Sequence, residues 1–176
     1  MRRKTLGGAA SKIKGSSFEL VIAKYLNTLF KVSSFARTPG SGALVGKSNA
    51  AKRSGLTQSA QDTLRGDLIT PAFFPYIVEC KSYGTTTPIF HKILEGSDVH
   101  VDKWLAEVEF DCEQDGIKQP MLWFKSSRKG IFVAIPRTHI PIDSLQTMML
   151  YRQYVIMSQD VFSELANTIL PGPYVE

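Results

Sequence analysis

The chain of 176 residues is long enough for one domain with a sizeable core, and its hydrophobic and charged fractions, 43% and 21%, are ordinary for a globular protein. Its two cysteines, Cys80 and Cys112, exclude a disulfide framework or a zinc ribbon, and no apolar run approaches membrane-spanning length. The net charge of +5 favours an acidic partner, and free thiols suit a reducing compartment, so we expect a cytoplasmic protein.

The basic excess is concentrated at the start of the chain. Residues 1–14 contain five basic side chains and no acid, which equals the net charge of the whole chain. We predict a flexible arm here that either contacts nucleic-acid phosphates or is simply solvated. Its basic residues are Arg2, Arg3, Lys4, Lys12 and Lys14.

A single domain is predicted over residues 15–170, followed by a tail at 171–176. Its first helix begins at residues 15–17, where Ser16 and Glu19 match a capping box, and has an apolar face at helical spacing. A short strand over 34–38 leads into a Pro-Gly turn. Residues 44–65 are rich in Lys, Ser, Asn and Gly and predict a mobile basic loop. The loop's candidate DNA-binding residues are Lys47, Lys52 and Arg53.

Two short strands then bring acids and a lysine together. The first is residues 66–69, beginning Gly-Asp, and the second is residues 76–82. Because side chains alternate along a strand, Glu79 and Lys81 point to one face while Val78 and Cys80 point to the other. Carboxylates beside a lysine suit a hard divalent cation and a water activated next to it, which indicates phosphodiester hydrolysis.

The rest of the chain completes an α/β pattern. A helix is predicted over 98–115, strands over 121–124, 131–135 and 154–157, and a last helix capped by Ser158. This order implies a mixed sheet with helices on its faces. The three histidines lack ligand spacing, and the aromatic residues Trp104, Trp123 and Phe124 are interpreted as core or dimer-interface residues.

The order of four motifs resembles the PD-(D/E)XK nuclease superfamily and, within it, the archaeal and phage Holliday junction resolvases. The motifs are residues 14–19 (KGSSFE), 37–42 (RTPGSG), 66–68 (GDL) and 77–82 (IVECKS). The resemblance implies a restriction-endonuclease-like core, with a central mixed β-sheet flanked by helices. It further implies a Mg²⁺- or Mn²⁺-dependent homodimer that cuts four-way DNA junctions in recombination or repair and leaves 5′-phosphate ends. Gly66 departs from the family's Pro, and the 44–65 segment is longer than in a minimal resolvase.

The resemblance also implies roles for individual residues. Asp67 and Glu79 would hold the metal, with the Cys80 carbonyl as a third oxygen donor, and Lys81 would orient the attacking water. Ser41 would position the scissile phosphate, while Arg37 and Lys14 would contact other phosphates. Glu19 has two open interpretations, a capping-box glutamate or a metal- or water-binding one. Each of the other residues has a structural alternative as a turn or solvated strand residue.

Two rival functions remain open from the sequence. One is a restriction-like or repair nuclease that cuts linear duplex DNA on the same fold. The other is a non-catalytic nucleic-acid-binding protein that keeps the core as a scaffold. Retention of Asp67, Glu79 and Lys81 argues against the second, because a binding module gains nothing from acids placed near phosphate.

Overall fold

The structure is a computed structural model that describes residues 8–39, 57, 65–82, 90–126 and 129–170. Several predictions lie outside these residues, namely the loop over 44–65 for most of its length and the tail over 171–176. The predicted site residues outside them are Arg2, Arg3, Lys4, Ser41, Lys47, Lys52 and Arg53.

The described residues form four α-helices, seven strands and two 3₁₀ helices. The helices are α1 (Gly8–Phe30), α2 (Phe90–Leu94), α3 (Val99–Asp115) and α4 (Gln159–Ile169). The strands are β1 (Ala36–Arg37), β2 (Leu68–Ile69), β3 (Tyr76–Ser82), β4 (Gln119–Ser126), β5 (Gly130–Pro136), β6 (Met149–Tyr151) and β7 (Tyr154–Ser158). Two 3₁₀ helices, Arg137–His139 and Ile142–Thr147, connect β5 to β6.

Within the described ranges, five strands form a mixed sheet in the order β3-β4-β5-β7-β6. Strand β3 pairs parallel to β4, through the crossover that contains α3, and the remaining neighbours are antiparallel. Strands β1 and β2 form a separate antiparallel pair, joined to the outer edge of β3 by a backbone hydrogen bond from Asp67 to Val78. The predicted α/β class with a central mixed sheet is therefore confirmed.

Helices cover both faces of the sheet. On one face, α1 and α4 pack on alternate residues of the central strands, with Leu26, Trp123 and Phe162 fully or almost fully buried. On the other face, α2 and α3 pack on the intervening residues, including Leu122 and Phe124. The prediction that Trp104, Trp123 and Phe124 belong to the core is confirmed.

Helix α1 begins earlier than the sequence predicts. It starts at Gly8, so the predicted start at residues 15–17 is wrong, and residues 8–14 of the predicted flexible arm are helical. Ala9, Ala10 and the lysines of this segment are good helix formers, so the helix continues in the N-terminal direction past Ser16. Because Ser16 lies inside the helix, the predicted capping box with Glu19 is also wrong.

Helix α3 matches its prediction and is closed at both ends. The Asp98 carboxylate accepts hydrogen bonds from the backbone N–H groups of His100 and Val101, at 2.9 and 3.1 Å. The helix ends at Gly116, which adopts the left-handed conformation with φ 76°. Strands β4, β5 and β7 and helix α4 also form where predicted, whereas β6 and α2 are too short for the pattern to indicate.

No helix among the described residues is long and apolar enough to cross a membrane.

Candidate active site

The candidate site is built on the outer edge of β3. The Asp67 N–H donates to the Val78 carbonyl at 2.7 Å, and the Cys80 N–H donates to Asp67 Oδ2 at 2.8 Å. The N–H and C=O groups of one strand residue point to the same side of the strand, so the Cys80 carbonyl is also directed to the outer edge of β3. Asp67 is thereby held beside the middle of β3.

Gly66 explains how Asp67 can approach so closely. Its φ is +69°, a left-handed conformation that proline, with φ near −65°, cannot adopt. A Cβ atom at this position would lie 2.7 Å from the Val78 carbonyl oxygen and 2.8 Å from the Ile77 side chain. The glycine in place of the family's proline is therefore required by this backbone geometry.

Glu79 and Lys81 share one face of β3, as strand alternation predicts. Lys81 Nζ lies 2.5 Å from Glu79 Oε1, while Val78 and Cys80 are buried in the core on the opposite face. In the parallel register, Glu79 and Lys81 stand opposite Leu122 and Phe124, which pack beneath α3. The acid and the lysine therefore face α3.

Helix α3 supplies a residue that the sequence did not indicate. Glu107 Oε2 lies 2.7 Å from Lys81 Nζ, so the ammonium group contacts two carboxylates at once. Helical spacing from the buried residues Trp104 and Val108 places Glu107 at the border of the helix's buried face. The sequence contains this helical spacing, but it does not identify Lys81 on β3 as the partner of Glu107.

Glu19 and Arg37 form an ion pair on the other side of the site. The Arg37 guanidinium donates to the Glu19 carboxylate, and Glu19 is buried near the middle of α1. Strand β1 therefore carries Arg37 inward to an acid rather than leaving it in solvent. The ion pair and the position of Glu19 replace the capping-box interpretation.

Burial and a neighbouring carboxylate raise the pKa of each candidate metal ligand. Burial raises the pKa of Asp67 to about 6, the charge of Glu19 adds to the rise, and the Cys80 amide opposes it. Burial and the charge of Asp67 raise the pKa of Glu79 to about 8, against the opposing effect of Lys81. Two buried acids that resist ionising together form a site that a cation would stabilise.

The charged form of Lys81 is favoured, whereas the charged forms of the two acids are disfavoured. Burial by itself would lower the pKa of its ammonium group, but Glu79 and Glu107 outweigh that effect and raise the pKa above its ordinary range. Lys81 is consequently a fixed positive charge at neutral pH. It suits a role in stabilising negative charge and does not suit general-base chemistry.

The donor set is small for an all-protein metal cage. Among the residues that the structure describes, no group of three or more His, Cys, Asp or Glu side chains is arranged to hold a metal ion. Mg²⁺ is commonly held by one or two carboxylates with waters and substrate phosphates as its remaining ligands. Asp67 and Glu79 fit that pattern, with the Cys80 carbonyl as an added oxygen donor.

The structure thus brings six of the predicted site residues to one region, namely Glu19, Arg37, Asp67, Glu79, Cys80 and Lys81. Lys12 and Lys14 lie on the first part of α1, and the other predicted DNA-binding residues lie outside the described residues. The roles of all these residues stay predictions.

An α/β core with two acids and a lysine at an edge strand is the arrangement that the sequence led us to expect of a PD-(D/E)XK nuclease. The model of the family described as "Phage putative PDDEXK endonuclease" matches residues 10–169, so the chain belongs to that family. No curated protein and no solved structure matches the chain. The superfamily resemblance is confirmed, and the chain is accordingly a nuclease.

Proposed function

We propose that the protein is a metal-dependent endodeoxyribonuclease that cuts branched DNA as a Holliday junction resolvase. The observation that carries the proposed chemistry is the pair of buried acids Asp67 and Glu79, the first raising the pKa of the second, with Lys81 on the same edge. Repulsion within a buried acid pair is relieved by a divalent cation and serves no purpose in packing.

Asp67 and Glu79 would hold the cation, Mg²⁺ or Mn²⁺, through carboxylate oxygens. When bound, the cation would lower the pKa of a water and neutralise charge on the phosphoryl oxygens. The Cys80 carbonyl, directed to the same edge of β3, is the added protein donor that the backbone geometry favours. The chain's own contribution is to bury and orient these oxygens.

Lys81 would act on the reacting phosphate. Its ammonium group is held in place by carboxylates and stays charged, so it can stabilise the negative charge that develops as water attacks phosphorus in line. The 3′-oxygen would leave and a 5′-phosphate end would remain. The Glu19–Arg37 pair would orient water or phosphate beside Asp67.

The preference for four-way junctions is supported by the order of the resolvase-like motifs in the sequence. A symmetric homodimer would place two such sites on opposed strands of a junction. A cytoplasmic location follows from the same proposal.

The test is cleavage of a labelled four-way junction beside a linear duplex of matched sequence. Each substrate is incubated with Mg²⁺, Mn²⁺ or EDTA, and the product ends are checked for 5′-phosphate. We expect paired cuts in the junction with either metal and none in EDTA. Cleavage of the duplex at an equal or higher rate would reject the resolvase assignment and favour a linear-duplex nuclease.

Variants then connect activity to the site. Asp67→Asn and Glu79→Gln should abolish cleavage while junction binding stays equal or becomes tighter, because a charge that repels phosphate has been removed. Glu113→Gln, an exposed acid on α3, is the matched control and should cut as the wild type does. Full activity in either site variant would remove these acids from the metal site.

A further inference from the structure

The Lys81 ammonium group is held by two carboxylates of different origin. Glu79 belongs to the same strand and lies two residues before Lys81, whereas Glu107 comes from the helix packed over that strand. We propose that Glu107 is a positioning residue for Lys81, keeping the ammonium group aimed at the phosphate during cleavage. This inference rests on the proposed nuclease function and adds a residue that the four sequence motifs do not include.

Glu107 is well placed to act as a fixed anchor. Its helix, α3, is capped by Asp98, ends at Gly116 and is packed through Trp104 and Val108, which are almost completely buried. The backbone that carries the Glu107 side chain is therefore fixed in position. Its side chain is 43% exposed, against 18% for Lys81, so it reaches Lys81 from the solvent side.

The two contacts are not equivalent once a cation is present. Glu79 is a proposed metal ligand, so its oxygens would be shared with or taken by the cation. Glu107 has no proposed place among the ligands, so its contact with Lys81 can persist. A lysine side chain has four rotatable carbon–carbon bonds, and an ammonium group held at one more point loses less freedom when the transition state forms.

A double-mutant cycle in single-turnover cleavage tests the proposal. Lys81→Ala should lower the rate by roughly two to three orders of magnitude, the size typical of removing one electrostatic interaction from the transition state. Glu107→Ala should lower the cleavage rate about tenfold, as expected for a residue that acts only through Lys81. Junction binding in Ca²⁺ should not be weakened. Glu107→Gln keeps an oxygen acceptor for the ammonium group and should retain most of the rate.

The decisive comparison is Glu107→Ala in the Lys81→Ala background. If Glu107 acts through Lys81, the second substitution should change the rate less than about twofold. Glu113→Ala, further along the same helix, should have no effect in either background. A wild-type rate for Glu107→Ala, or a full additional loss in the double variant, would overturn the positioning role.

A second readout does not depend on catalysis. The Lys81 ammonium signal in ¹H–¹⁵N NMR spectra, identified by its loss in Lys81→Arg, should persist in Ca²⁺ for the wild type. In Glu107→Ala it should broaden through exchange with water, while Glu113→Ala leaves it unchanged. An unchanged signal in Glu107→Ala would overturn the inference even if the wild type cuts DNA. If the wild type cuts no DNA, the proposed function fails, and this signal still decides whether Glu107 holds Lys81.

Discussion

At the scale of single residues, the buried acids make stability depend on pH in an unusual direction. Ordinary values of 3.8 for Asp67 and 4.5 for Glu79 apply to the unfolded chain, and the folded values rise to about 6 and about 8. Between the unfolded and folded values, the folded protein therefore binds more protons than the unfolded chain. The contribution of these groups to the free energy of unfolding is present at low pH and is lost as pH rises towards 8.

We therefore predict that, in chelator, the free energy of unfolding contributed by the site falls between about pH 4 and pH 8. For each proton by which the folded and unfolded states differ, the free energy of unfolding changes by at most about 1.4 kcal/mol per pH unit. Glu79→Gln should flatten this slope in urea titrations, whereas Glu113→Gln should not. Mg²⁺ or Mn²⁺ should raise the melting temperature more at pH 8 than at pH 6, because metal ligands must be deprotonated. A stability that rises with pH in both wild type and Glu79→Gln would contradict the pKa directions.

Gly66 supports a second prediction at this scale. Gly66→Ala should lower the free energy of unfolding by about 3 kcal/mol, because the left-handed backbone is strained and the new methyl group meets the Val78 carbonyl at 2.7 Å. Gly116→Ala is the matched control, since its φ is also positive, +76°, but nothing lies within 4 Å of its Cβ position. It should cost only about 1 kcal/mol. Equal losses in denaturant melts would show that the close approach is unimportant.

At the scale of elements, α3 depends on its N-terminal cap. Asp98 is buried and accepts hydrogen bonds from two backbone N–H groups. Asp98→Ala should therefore lower the free energy of unfolding by about 1–2 kcal/mol, and Asp98→Asn should lower it by less. Ser158 caps α4 with one longer hydrogen bond, 3.3 Å to the N–H of Val161, so Ser158→Ala should cost less than Asp98→Ala. Chemical denaturation of the three variants checks this order. A larger loss for Ser158→Ala would show that the α3 cap is not the stronger of the two.

At the scale of the whole molecule, the basic start of the chain is predicted to contact DNA phosphates. Deleting residues 1–7 removes Arg2, Arg3 and Lys4 and leaves the described α1 complete. The slope of log affinity against log salt for junction binding should fall by about 0.9 for each phosphate that the shortened protein no longer binds, up to about three in all. Fluorescence titrations over a range of salt concentrations measure this slope.

A control for that measurement comes from the opposite edge of the sheet. Arg152 lies in the turn between β6 and β7, and β6 is the edge strand farthest from β3 in the sheet order. Arg152→Gln removes one positive charge and should leave the slope unchanged. If the truncated protein keeps the full wild-type slope, the arm takes no part in binding.

Much of this protein is determined locally and was predictable from its sequence. Strand alternation placed Glu79 and Lys81 on one face, and helical spacing with a cap defined α3 and α4, because these patterns arise from backbone geometry within a few residues. The fold class followed from the order of such elements, and the superfamily followed from the resemblance of four sequence motifs. The early start of α1 at Gly8 was missed because Ser16 and Glu19 imitate a cap inside a good helix-forming segment.

Only the tertiary structure decided which distant residues meet. The contacts of Glu107 with Lys81, Glu19 with Arg37 and Asp67 with the Cys80 amide each join elements that are separate in the chain. They depend on the register of β3 against β4 and on how the helices lie across the sheet, neither of which is set by any local pattern. The raised pKa values of Asp67 and Glu79 have the same origin, since burial and neighbouring charge exist only once the whole chain has folded around them.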